Sequence, residues 1–238
     1  MVAQLRRMTH ISVVGGIIFD LTHRHYRTNG LRFSIPRHLI PLAWRAHFLF
    51  DTYEEGERKL ARSWLLASDR VLEVGGCIGV VSCSINRLLR DPEAHVVVEA
   101  NPHVLSWLHR NRELNACRFT VINAAVAETK TCDFSVESNM LFSGIGRGAH
   151  AVRVPGVRLT DLNDRFGPFS ALVMDIEGAE LEVFERQLKE MPRFRLILCE
   201  LHPPIYGEDG AGRCRAALSL AGYYNAARAG AIEVWLGE

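Results

Sequence analysis

The sequence predicts an α/β fold: a mostly parallel sheet with helices on both faces. Three observations point there. From residue 70 onward, short β-rich runs alternate with helical patterns, which is the signature of repeated β–α units. The distinctive polar residues fall where the β-runs end, the edge at which open α/β sheets bind ligands. And 238 residues, 48% hydrophobic and 23% charged, supply a core for one such domain.

The elements follow in order. Val71–Val74 reads as a strand, and Gly75-Gly76-Cys77-Ile78-Gly79 as a turn into a helix over Val80–Arg90, with Ile85, Leu88 and Leu89 at helical spacing. His95–Glu99 is the second strand, and Asn101–Asn111 the next helix, with Pro102 in a first turn that tolerates it. Phe119–Ile122 is a third strand. Ala171–Asp175 is a fourth, followed by a helix over Glu177–Leu188. Arg195–Glu200 is a fifth, followed by a helix over Gly212–Leu220, and Ala231–Leu236 closes the sheet.

Two segments stand outside this alternation. Residues 129–158 are rich in Ser, Asn and Gly, including Ser138, Asn139, Ser143, Gly146 and Gly148, between the β-like runs Cys132–Val136 and Ala151–Val154. They read as an inserted lid or hairpin. Residues 1–50 carry seven Arg, no Lys and one acid, Asp20, so they hold +6 of a chain whose net charge is +1 and leave −5 for the rest. They are expected to form a basic arm or cap that covers the acidic edge or recruits an anionic acceptor.

Cysteine use and hydropathy set the compartment. The six Cys include no C-x-x-C pair, which excludes a zinc ribbon and suits buried thiols in the cytoplasm. Ile11–Phe19 is apolar but too short to span a bilayer. Arg6 and Arg7 before it mimic a signal peptide without a convincing cleavage site, so no transmembrane segment or export is expected.

The turn after the first strand fits neither a dinucleotide fingerprint nor a P-loop, because Cys77 and Val80 occupy required glycine positions and no Lys follows. It fits acid-x-Gly-x-x-x-Gly, with Glu73, Gly75 and Gly79. Glu99 closes the next strand, where an acid can accept both ribose hydroxyls. Glu73 is a candidate for an ammonium, directly or through water. A ligand with both a ribose and an amino-acid moiety is S-adenosyl-L-methionine. The candidate cofactor residues are Glu73, Gly75, Gly76, Cys77, Gly79, Glu99, Ala100, Asn101, Asn123, Ala124 and Asp175, with Asn123-Ala124-Ala125-Val126 at the adenine. The same residues also describe a plain glycine-rich turn with surface acids.

Asp175-Ile176-Glu177-Gly178-Ala179-Glu180 brings three acids within six residues to a helix start. Helix capping explains one or two of them. Glu200-Leu201-His202 adds a carboxylate and an imidazole after the next strand. His202 is the candidate general base, since its ordinary pKa lies near neutrality. Glu200 is the candidate to orient it, and Asp175 to orient the acceptor or the amino group. Asp175, Glu177, Glu200 and His202 are the ligands if a divalent cation is used. No dedicated metal site is otherwise indicated.

These strings, with Val98-Glu99-Ala100-Asn101-Pro102, Asn111 to Asn115 and Tyr53-Glu54, resemble the FkbM-type methyltransferase family in order and spacing across residues 53–202. Asp-x-Glu-Gly-x-Glu is the most discriminating part. The family commonly has Asp-x-Gly-Ala-Asn-x-Gly, where Glu73 and Cys77 stand here, and Leu-Asp where this chain has Leu159-Thr160. The resemblance implies a Rossmann-like class I methyltransferase fold with a seven-stranded sheet over residues 51–238. It also implies O-methylation of a small molecule, sugar or natural-product scaffold with S-adenosyl-L-methionine.

Two alternatives differ in class. A nucleic-acid methyltransferase would use the basic arm for docking, but the body is acidic and nucleic acid is not the expected partner. A non-catalytic binding protein on the same fold would carry a damaged cofactor turn, for which Cys77 is the one hint. A homo-oligomer is compatible with either reading.

Overall fold

The computed structural model describes residues 2–135, 144–145 and 151–237, and side chains from residue 12 onward except at 144–145. Helix α1 spans Val2–Thr22. A small antiparallel hairpin follows, β1 (Tyr26–Thr28) and β2 (Leu31–Phe33). Short helical turns lead to α2 (Ala46–Leu49) and then to α3 (Glu55–Trp64).

The alternating body begins with β3 (Val71–Val74), α4 (Val80–Asn86), β4 (His95–Glu99), α5 (Leu105–Leu114) and β5 (Thr120–Asn123). The insertion carries β6 (Ala125–Val126), β7 (Thr131–Ser135), β8 (Gly144–Ile145) and β9 (Ala151–Val157). Then come α6 (Leu159–Phe166), β10 (Ala171–Met174), α7 (Glu180–Glu182), β11 (Leu196–Glu200), α8 (Pro203–Leu220), β12 (Tyr223–Ala229) and β13 (Ile232–Gly237).

The main sheet has seven strands in the order β12-β13-β11-β10-β3-β4-β5. Its five central and distal strands run parallel, and β13 and β12 add antiparallel to β11. Side chains alternate across it. Leu72, Val74, Leu172 and Met174 face α6, the helical segment after α7, and α8. Val71, Ala171 and Val173 face α3 and α4.

Within the insertion β7 pairs antiparallel with β9, from Thr131↔Pro155 to Ser135↔Ala151, and with β8, and β6 adds to β9, giving a four-stranded sheet in the order β6-β9-β7-β8. Ser138, Asn139, Ser143, Gly146 and Gly148 lie outside the described residues.

Several expected elements differ. The helix expected at Asn101 starts at Leu105, because Asn101 Oδ1 accepts the main-chain N–H of His103 and holds a turn first. The expected 80–90 helix stops at Asn86. The helix expected over 177–188 is displaced and broken, because Glu177 and Gly178 hold positive φ. It becomes α7, one wide turn over Val183–Gln187 and a 3₁₀ turn over Leu188–Glu190. The last helix begins nine residues early, at Pro203-Pro204, and bends at Gly207, whose φ is 78°. The hairpin β1–β2 and strand β12 were not expected.

The basic segment is not a free arm. Phe19, Tyr26, Phe33, Ile40 and Phe48 share one buried cluster with Ile78, Val97, Leu108 and Phe119 of the body. Asn111 donates to the carbonyls of Ser34 and Ile78 and accepts from the N–H of Ser34. Asn115 makes the same two-way bond to the main chain of Arg32. Arg37 and Arg45 both clamp Asp20.

Among the described residues, no helix is long and apolar enough to cross a membrane.

Candidate active site

The carboxyl ends of β3, β4 and β10 enclose a cleft that is partly open to solvent, at the edge where open α/β sheets bind ligands. The turn after β3 shapes its floor. Gly75 has φ 96°, and a Cβ there would lie 1.7 Å from the Asp175 carbonyl oxygen. Only glycine lets these two strand ends meet so closely. Gly79, at φ 84°, starts α4 and abuts Leu108, while Gly76 abuts Val97. Gly76 and Gly79 therefore build the turn, and Gly75 and Cys77 line the cleft.

Glu99 stands at the cleft wall with Ala100 and Asn101. Its two carboxylate oxygens accept the main-chain N–H groups of Cys77 (2.6 Å) and Asn101 (2.6 Å). Each oxygen keeps a lone pair for a ligand hydroxyl. Burial pushes the Glu99 carboxyl up to about 7, against the pull of those N–H groups. Ala124, Ala125, Val126 and Phe134 form an apolar wall. Phe134 arrives from β7, so the inserted hairpin contributes to the cleft.

Two candidates sit elsewhere. Glu73 is buried behind the turn, where Ser82 Oγ donates to it at 2.6 Å and His95 Nε2 lies 2.9 Å away. It does not line the main cleft and faces a small cavity behind it, with Glu54, Glu57 and Asp175. Asn123 Nδ2 is spent on the carbonyls of Glu99 and Ala100 and fixes the β4–β5 ends. None of the described residues 12–50 lines the cleft. The segment packs on the α4–α5 side of the sheet.

At the far wall lies the acidic turn. A third of the Asp175 side chain is exposed (33%), yet its Oδ1 is enclosed and has no hydrogen-bond partner. Burial pushes Asp175 up to about 8; nearby His202 opposes this, and Glu57, Glu177 and Glu180 reinforce it. His202 Nδ1 lies 2.9 Å from Glu180 Oε1, and its Nε2 lies 3.5 Å from Asp175 and 3.6 Å from Glu177. Glu180, and not Glu200, is thus the hydrogen-bond partner of the imidazole Nδ1. The same Glu180 oxygen accepts the N–H groups of Ile176 and Gly178, so one buried carboxylate holds both turn and ring.

Burial works against the imidazolium, but Glu180, Asp175 and Glu177 outweigh it and bring His202 up to about 9. Glu200 hydrogen-bonds Glu57 from α3, and burial with that contact raises it to about 9. Single donor atoms of Asp175, Glu200 and His202 lie within 4.8 Å of one another, close enough to share a cation.

Sequence reasoning missed Glu57, Phe134 and the orienting role of Glu180. Tyr53 and Glu54, which belong to the family resemblance without an assigned role, both line the cleft. The Tyr53 hydroxyl lies 3.7 Å from Cys77 Sγ.

A family model, the methyltransferase FkbM domain, matches residues 73–225. A search of curated proteins finds no match. Among solved structures, a precorrin-6y C5,15-methyltransferase from Geobacter metallireducens is similar with a TM-score of 0.52 and 14% identity, covering 87% of this chain and 93% of that one. An O-methyltransferase from Bacillus cereus, in complex with SAH, gives 0.50 and 13%, covering 94% and 90%. TYW2 of P. horikoshii, in complex with MeSAdo, gives 0.52 and 13%, covering 89% and 69%. At such identities these structures bear on the fold, which is the Rossmann-like methyltransferase fold.

Proposed function

The chain belongs to the FkbM methyltransferase family of S-adenosylmethionine-dependent enzymes, and from that premise we propose that it methylates a hydroxyl of a small molecule, sugar or natural-product scaffold. The observation that carries the reading is His202, which does not itself line the cleft but is held by Glu180 with its Nε2 3.5 Å from Asp175, a lining residue. It supplies a base one contact behind the cleft wall.

S-adenosyl-L-methionine brings an electrophilic methyl on a sulfonium, so the chain must align the partners and remove a proton. Glu99 accepts the ribose hydroxyls. Ala124–Val126 and Phe134 flank the adenine, and the Cys77–Gly79 turn faces the methionine end. Asp175 stabilises positive charge beside the reacting centre. His202 Nε2 takes the hydroxyl proton, and Glu180 fixes the ring for that step.

A cation beside Asp175 disfavours the imidazolium and so lowers the pKa of His202. Cofactor binding would thus free the base. The gathering of Asp175, Glu200 and His202, with Asp175 Oδ1 accepting no hydrogen bond and lying 3.5 Å from His202 Nε2, favours a second version. There these three hold a divalent cation that acidifies the acceptor hydroxyl.

Titration calorimetry with S-adenosylmethionine and its demethylated product tests the core of the reading. Binding is expected for both, and Glu99→Ala should weaken it by about 10- to 100-fold, the worth of one or two bonds to a charged group. Absence of heat from folded protein sinks the reading, and unchanged affinity in Glu99→Ala sinks the ribose assignment. Turnover that EDTA abolishes and Mg²⁺ restores selects the metal version.

A further inference from the structure

Helix α1 turns the wrong face to solvent. Val14, Ile17, Ile18 and Leu21 lie on one helical stripe and are 53%, 43%, 43% and 81% exposed. The stripe cannot roll inward. Phe19 is fully buried in the core on the opposite side. A Cβ on Gly16 would lie 1.8 Å from the Leu42 carbonyl oxygen, and one on Gly15 would lie 2.9 Å from Ala46. The helix is therefore locked with its glycines against residues 42–50 and its aliphatics outward. Phe50, 59% exposed, borders Gly15 and extends the apolar surface.

Beyond the C-terminal end of α1 the chain carries positive charge without an ion pair among the described residues. Arg24 follows Leu21 by three residues and is exposed, as are Arg27 and Arg32 on the hairpin. Arg27 and Arg32 are direct cross-strand partners. Like charges so placed repel. Among the described residues none of the three has an ion-pair partner, whereas Arg37 and Arg45 are both taken by Asp20.

We propose that this face docks on an anionic lipid surface, with the stripe of α1 lying in the interface and Arg24, Arg27 and Arg32 on the headgroups. The helix is apolar on both sides, one packed on residues 42–50 and the core and the other turned outward, and an outward apolar side with arginine following it suits the boundary between headgroups and acyl chains. Exposed apolar side chains lose water contact there, and anionic headgroups relieve the Arg27–Arg32 repulsion. A second copy of the chain is a poorer occupant, because it brings another uncompensated cationic hairpin toward the first. The inference is independent of the transfer reaction, since no described residue of 12–50 lines the cleft.

Co-sedimentation of the full chain with vesicles tests it. Binding is expected to mixed phosphatidylglycerol–phosphatidylcholine vesicles, weakening in high salt, and not to phosphatidylcholine alone. Ile17→Glu with Leu21→Glu should lower partitioning by about tenfold or more. Arg24→Glu with Arg27→Glu should lower it by about fivefold per charge or more. All four positions are exposed, and unchanged melting and cofactor affinity would confirm intact folding. The proposal is overturned if the wild-type chain stays in the supernatant or if the glutamate variants sediment like it. It is equally overturned if light scattering finds a dimer that Leu21→Glu dissolves while vesicles are ignored.

Discussion

In the free protein His202 is charged at neutral pH, because three carboxylates surround it and bring it up to about 9. A base must be neutral to accept a proton, so the rate should rise with pH through its pKa. The profile of kcat/KM reports the free enzyme and should have its acid limb near 9. That of kcat reports the loaded enzyme and should have its limb lower. His202→Gln should cost about 100-fold or more in kcat. Glu180→Gln keeps the base but removes its strongest charged partner, so both limbs should move to lower pH. Limbs that stay in place in Glu180→Gln would reject the positioning role. Glu99 and the glycine turn were legible in the sequence because each lies at the end of an obvious strand. Glu180 was harder to assign than Glu200, because Glu200 adjoins His202 in sequence while Glu180 reaches it only through the positive-φ turn at Glu177-Gly178.

The strands are anchored as elements from their other ends. Asp69, just before β3, accepts from Ser170 Oγ before β10, from Arg195 before β11 and from the N–H of Leu66. Burial alone would raise its pKa, but Arg195, the Leu66 N–H and Ser170 together hold it below the ordinary aspartate range. A depressed folded pKa gives stability above the unfolded value that is lost as pH falls through the folded one. Asp69→Asn should therefore cost about 2–3 kcal/mol at pH 7, with the gap to wild type closing at acid pH. Urea melts at both pH values check this, and an equal gap at both would refute it. Strands of four or five residues with β-branched runs were readable from sequence. The three-residue β1 and β2 were not, since they hold their place through Asn111 and Asn115 far along the chain. Strand β12 escaped notice because its burial alternates poorly, with one buried residue among seven.

For the whole molecule, a boundary at residue 50 cuts through a core. Phe19, Tyr26, Phe33 and Phe48 are each 3% exposed or less. At about 1.5–3 kcal/mol per buried side chain, their loss rivals the total stability of a domain. Deleting residues 1–50 should therefore yield protein that does not melt cooperatively; a fragment 51–238 with the full-chain Tm would show the segment to be dispensable. The mostly parallel sheet was legible because alternating β–α units leave few topologies. The docking of the N-terminal segment was not, because its aromatics carry no period that names their partners.

That docking sets a schedule for synthesis. Phe19 leaves the ribosome a hundred residues before Phe119, with which it shares a cluster. At about 5–20 residues per second, the first aromatics wait several seconds for the last of their neighbours. During that interval the nascent chain carries an uncovered aromatic patch beside its apolar first helix. Whatever shelters them then, the ribosome surface, a chaperone or a bilayer, acts before the cleft exists.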